Sequence, residues 1–159
     1  MSNLNNIGLD KDKSKLLSEK LGILLASYTV FYQNTRGDHW NIKGKSFFEL
    51  HIKFEELYND LFVKIDDVAE RILTLGFTLE QRYSEYVSKS LIEESRIVSD
   101  GEKAVDEILD AFKALITLQR EILDISDEAD DEGTNAMMSD YITEQEKLVW
   151  MYSSYAHKH

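Results

Sequence analysis

Four residues of this 159-residue chain could together hold a transition metal: His39, His51, Asp66 and Glu70. Imidazole nitrogens and carboxylate oxygens are the donors that suit iron and other first-row metals. All four lie in one stretch, DHWNIKGKSFFELHIKFEELYNDLFVKIDDVAER. From Ser46 onward Phe47, Leu50, Phe54, Leu57, Leu61, Ile65, Val68, Ile72 and Leu75 recur every three or four positions, which predicts one long amphipathic helix carrying both His51 and Asp66. Their separation along such a helix is roughly 22 Å, whereas the ligands of one metal each sit about 2 Å from it. A single chain therefore cannot close the site. A two-fold dimer can, because an isologous interface brings residue i of one chain to residue j of the other, twice. Two such helices crossing antiparallel set His51 against the partner's Asp66 and Glu70, with Glu70 one turn beyond Asp66 on the same face. His39, on a separate segment, can fold back beside His51. Taken singly, the carboxylates read as solvated helix charges and the histidines as hydrogen-bonded packing residues; the combination favours two equivalent metal sites per dimer, each shared between chains.

The elements that must position these groups follow from the apolar period. A first helix spans about Lys11 to Asn41, with Leu17, Leu21, Leu24, Leu25, Tyr28, Phe31 and Tyr32 on one stripe. Gly37 could end it through a left-handed cap, and in either case His39 lies at an element end. Trp40 is expected to pack against the site. Residues 42–45 make a tight connection, and Ser46 with Glu49 reads as a capping box opening a second helix that ends at Gly76. Residues 77–98 form a connection too long to lack structure of its own. Ser99 with Glu102 reads as another capping box, opening a third helix through Val105, Ile108, Phe112, Leu115 and Ile122. A fourth, from about Thr134, carries Met137, Met138, Tyr141, Ile142, Leu148 and Tyr152, the methionines as core filler. The expectation is all-α: a four-helix bundle over residues 10–156 with one long crossover, a frayed polar tail at 1–9 and another at 157–159, where His157 and His159 stand apart from the site.

Several function classes are disfavoured. The formal net charge of −12 argues against nucleic acid as main partner, since DNA binding depends on neutralising phosphates with Lys and Arg. Lys11, Lys13 and Lys15 alternate with Asp10 and Asp12 and make no basic arm. No apolar run approaches the length of a membrane span, the first residues lack a signal-peptide core, and cysteine is absent; the expected location is the cytoplasm.

The run His39-Trp40-Asn41, then Gly44, Phe47 or Phe48, Leu50-His51, and later Asp66-x-x-Ala69-Glu70-Arg71 resembles the signature of the Dps family, the ferritin-like miniferritins of starved cells. The resemblance covers essentially the whole chain, including the close Glu146-Lys147-Leu148-Val149-Trp150-Met151. It implies a ferritin-like bundle whose first helix runs through Gly37, with a short extra helix near Ser84–Lys89 in the crossover. It also implies an iron ferroxidase centre made by the two histidines of one subunit and the Asp and Glu of its two-fold mate. The family usually places an aspartate one turn after the second histidine; Glu55 stands there instead, a carboxylate on a longer stem that can still ligate or hold a water.

The acidic run Asp124 to Gly133 reads either as a solvated loop or, around a symmetry axis, as a ring of carboxylates that attracts and passes cations. By resemblance this region lines three-fold pores into a hollow twelve-subunit shell. Asp127 and Glu132 match pore carboxylates, Ala136 falls where relatives often have an acid, and Asp140 one turn on could compensate. The implied activity is oxidation of two Fe(II) per hydrogen peroxide, with ferric mineral kept inside the shell; Glu56 and Glu144 are candidate nucleation groups. The alternative is a DNA-compacting protein with secondary iron binding. Conventional ferritins close a di-iron site inside one bundle with Glu-x-x-His pairs; this chain has none, and haem ligation is unsupported.

Overall fold

A computed structural model describes residues 3–157. Five helices follow in order: α1 (Lys11–Asn41), α2 (Phe47–Thr74), α3 (Tyr83–Lys89), α4 (Gly101–Glu128) and α5 (Glu132–Tyr155). Helix α1 packs on α2 and α4, α3 lies against α1, and α4 packs on α5. The amide of Lys43, just before α2, donates to the Ser99 carbonyl at 2.9 Å, just before α4, so both helices start at the same end. The last turn of α5 borders that end too, where Tyr155 and Ala156 share a cleft with Lys43 and Asp100. Helices α2 and α4 thus run parallel, flanked by antiparallel α1 and α5, and the crossover bearing α3 makes this possible. No described helix is long and apolar enough to cross a membrane.

The core is one cluster running from Leu17, Leu21 and Leu24 of α1 through Phe54 and Leu61 of α2 to Ile108, Phe112 and Leu115 of α4 and Met138 of α5. Phe31 and Phe112 meet edge to face at 5.3 Å, an arrangement their ring quadrupoles favour.

Helix α1 runs through Gly37 and ends at Asn41, as the resemblance implied. Other boundaries differ from expectation. Ser46 is the N-cap of α2 but its side chain makes no capping hydrogen bond, so the expected box is not formed there. At α4 the cap is Asp100, whose carboxylate accepts from the Lys103 amide at 2.9 Å, one residue past the expected Ser99. An aspartate at this position satisfies an orphan amide and complements the positive helix end. The acidic run is mostly helical: α4 continues to Glu128, and only Ala129, Asp130 and Asp131 connect it to α5. Asp130 adopts a left-handed φ of 55°, which a short polar side chain tolerates. Of the expected tail at 1–9, residues 3–9 fold back on the bundle: the Asn5 side chain accepts from the Leu9 amide at 2.9 Å and donates to the Ser14 hydroxyl at 3.3 Å. His159 lies outside the described residues, and His157 is exposed beyond α5.

Candidate metal centre

The α1–α2 hairpin brings His39 and His51 together. Each ring Nδ1 lies against the other residue's backbone carbonyl, at 2.6 Å from His39 to the His51 oxygen and 2.8 Å in return. A carbonyl only accepts, so both Nδ1 atoms donate; in the neutral tautomer each Nε2 then keeps its lone pair, the form in which imidazole binds a metal. The rings stack at 3.8 Å and 12°. Phe47 stacks on His51 at 4.8 Å, and Tyr58 meets His39 edge-on at 5.4 Å. Two nitrogen donors are therefore held side by side by backbone hydrogen bonds and aromatic walls.

The oxygen donors are elsewhere. Asp66 and Glu70 lie exposed on α2, several turns beyond His51, and Glu55, one turn past His51, is exposed too. None of the three carboxylates has a hydrogen-bond or ion-pair partner among the described residues. Nor do three or more His, Cys, Asp or Glu side chains converge within the chain as a metal-holding group, again among the described residues. The histidine pair thus offers two nitrogen donors with no carboxylate of its own chain beside them among the described residues.

Helix α2 itself carries a second apolar stripe. Its inner stripe, Leu50, Phe54, Leu57, Leu61, Val68 and Ile72, is buried. On the outside Phe48, Ile52, Phe62, Val63 and Leu73 are exposed, Phe48 by 74% and Phe62 by 62%. A helix apolar on both sides is one covered on both sides, and an exposed apolar patch of this kind marks an association surface. Glu55, Asp66 and Glu70 are interspersed along it. Sequence reasoning overlooked this stripe, although its spacing at 48, 52, 62 and 73 is written in the chain. Trp40, expected against the site, is 58% exposed and lies over the Arg36 guanidinium at 4.9 Å.

Arg71, next to Glu70, anchors the far end of α2. It donates to Asp131 at 2.6 Å and to the Thr134 hydroxyl at 3.0 Å, while Asp131 accepts from the Thr134 amide and hydroxyl. The guanidinium occupies the place of a side chain at Gly133, where a Cβ would come within 2.8 Å of it. This buried lock was invisible in the acidic run, where Asp131 looked like one more solvated charge. Asp127 and Glu132, the candidate pore carboxylates, flank the locked turn and are exposed, as are Ala136 and Asp140.

The bundle centre holds a different polar group. Tyr28 donates to Gln119, Gln119 donates to Gln145 at 2.8 Å, and Gln145 returns a bond to the Tyr28 oxygen at 2.6 Å. Burial pushes the Tyr28 phenol well up, so it stays neutral. Nearby, buried Lys64 reaches Asp60 at 2.8 Å and Glu144 at 3.3 Å. Asp38, preceding His39, is also buried, and its carboxyl is pushed up to about 7 by desolvation and by Glu107.

A bundle of this topology, with parallel middle helices joined by a helical crossover, is the ferritin-like architecture. The family model described as a ferritin-like domain matches residues 18–159. A "DNA protection during starvation protein" of Porphyromonas gingivalis is 40% identical over 151 residues, covering 95% of each chain. An uncharacterised protein of Haemophilus influenzae is 54% identical over 149 residues, 94% of this chain and 93% of its own. Among solved structures, the Dps protein of Vibrio cholerae O1, described as a member of a broad superfamily of ferritin-like diiron-carboxylate proteins, superposes with a TM-score of 0.95 at 51% identity, covering 98% of both chains. Dps from Staphylococcus aureus superposes with a TM-score of 0.85 at 31% identity, over 88% of this chain and 94% of that one. The chain belongs to the Dps family of ferritin-like miniferritins.

Proposed function

We propose that this protein detoxifies and stores iron, oxidising Fe(II) at sites shared between two subunits across a two-fold axis and holding the ferric product inside a hollow homo-oligomeric shell. The observation that carries the proposal is the pair of backbone-fixed imidazoles at the α1–α2 hairpin, His39 on α1 and His51 on α2, beside an outer face of α2 that is apolar, uncovered and interspersed with unpartnered carboxylates. Covering that stripe with a second α2 in antiparallel register sets His39 and His51 against the partner's Asp66 and Glu70. Glu55, one turn past His51, serves a second iron or its water in this reading. Two imidazoles and hard carboxylates bind Fe(II) and stabilise Fe(III) more, so the site promotes electron loss to an oxidant.

With hydrogen peroxide the balance is two Fe(II) giving two Fe(III), while the O–O bond takes both electrons and breaks to hydroxide or water; no hydroxyl radical is released. The substrate iron enters through a three-fold pore lined by Asp127 and Glu132, with Asp140 one turn deeper than Ala136. Glu56 and Glu144, which border one groove between α2 and α5, nucleate mineral once displaced from Lys53 and Lys64. The shell is a cytoplasmic dodecamer of two-fold dimers, and haem has no part in it.

Anaerobic Fe(II) titration followed by peroxide, read at the ferric absorbance, tests the proposal. The wild-type chain is expected to oxidise iron rapidly; His51→Ala is expected to assemble but to lose the fast phase. Unchanged kinetics in the variant contradict the assignment. A DNA-compacting role is disfavoured by the net charge of −12, and a gel shift at physiological salt is expected to show no complex.

A further inference from the structure

One position before His39, α1 turns a carboxylate into the protein. Asp38 is 5% exposed, borders a cavity of about 450 Å³ between α1, α4 and the segment leading into α4, and has no side-chain hydrogen-bond or ion-pair partner among the described residues. Buried carboxylates without partners are costly, and native structures ordinarily supply them with a hydrogen bond, a counter-charge or a ligand. Glu107 of α4 borders the same cavity, held by the Ser95 hydroxyl at 3.2 Å. With Glu93, Glu94 and Asp110 the lining holds five carboxylates against two cations, Arg96 and Lys103. Neither cation pairs with Asp38 or Glu107.

The wall is built rather than loose. The Asn34 amide donates to the Glu93 carbonyl at 2.9 Å and accepts from the Ser95 amide at 2.9 Å, pinning the crossover to α1. Apolar Phe31, Ile92, Ile108 and Ala111 also line the space.

We propose that this cavity binds a small organic ammonium ion, its nitrogen between Asp38 and Glu107 and its carbon chain against Phe31, Ile92, Ile108 and Ala111. A dehydrated divalent cation needs about six or more oxygens, and no three His, Cys, Asp or Glu side chains converge as a metal-holding group among the described residues. An ammonium needs partners only for its N–H groups, and its methylenes gain from apolar contact. The volume lies within the range of small-molecule sites.

The test is calorimetric titration of the iron-free, assembled protein with putrescine, and separately with magnesium chloride, in mildly alkaline buffer where free carboxyls are ionised. Saturable putrescine binding is expected, weakened by about tenfold or more in Glu107→Gln and in Asp38→Asn. Ala111→Phe, which fills the cavity without touching charge, is expected to abolish it. Each variant is checked by circular dichroism and by its thermal midpoint with and without putrescine, since a ligand of the native state raises that midpoint. Absence of binding to wild type overturns the proposal, as does binding indifferent to these substitutions or magnesium binding at least as tightly through the same residues.

Discussion

At the bundle centre Tyr28, Gln119 and Gln145 complete one another's hydrogen bonds in a closed ring, whereas at the α1–α2 hairpin His39 and His51 spend one nitrogen each on backbone and leave the other uncommitted. Both are polar groups set among apolar neighbours. The first is satisfied within one chain by neutral amides and a phenol, donors that hold a bundle in register but ligate iron poorly. The second satisfies only what fixes its orientation. The centre therefore specifies the fold, and the hairpin, with two nitrogen donors left open, is where the proposed chemistry would lie. The polar ring also occupies the interior, where a one-chain di-iron site would have to lie.

The largest effect is expected at the open pair. His51→Ala removes a nitrogen donor from each site and should slow peroxide-driven iron oxidation by about a hundredfold or more, equivalent to about 3 kcal/mol, while circular dichroism stays unchanged. Next comes the uncovered stripe: Phe62→Asp buries a charge in the proposed interface, costs several kcal/mol of association, and should shift the solution mass toward monomer with parallel loss of oxidation. If that variant remains assembled and active, the stripe is not the interface and the comparison fails.

The closed ring should behave in the opposite sense. Gln145→Leu leaves the Tyr28 and Gln119 groups short of partners and is expected to cost about 3 kcal/mol in unfolding free energy, with iron oxidation per folded subunit unchanged.

A smaller effect belongs to Asp38. Its folded-state value, about 7, lies above the ordinary 3.8. The protonated form is thus favoured by folding, and its stability is fully present below the ordinary value and lost as pH rises through the folded one. Arg96 and Lys103 border the same cavity as Asp38 and Glu107 but pair with neither. Asp38→Asn should accordingly gain on wild type by about 4 kcal/mol between acid and neutral pH in denaturant melts of the iron-free protein; a difference independent of pH would count against the burial of that carboxyl.

Much of this was legible in the chain. The period of three and four residues marked the long helices, and the distance it places between His51 and Asp66 is the ground for proposing a site shared by two chains. What escaped was long-range or degenerate. Tyr28, Gln119 and Gln145 are 91 and 26 positions apart and share no local pattern. Ser99 and Asp100 are both competent caps, and only the path of the backbone selects the aspartate. Asp131 is indistinguishable from its acidic neighbours until Arg71 reaches it from α2. The outer stripe of α2 was readable but masked by the stronger inner one.

The central claim, that the site is shared across a dyad, is tested most directly by complementation. A dimer of one His51→Ala chain and one Asp66→Ala chain concentrates both lesions in one site and leaves the other intact. Each variant alone should be inactive, and subunits mixed by co-refolding should recover about a quarter of wild-type oxidation, since half the dimers are mixed and each holds one good site of two. A mixture no more active than its components would contradict the account.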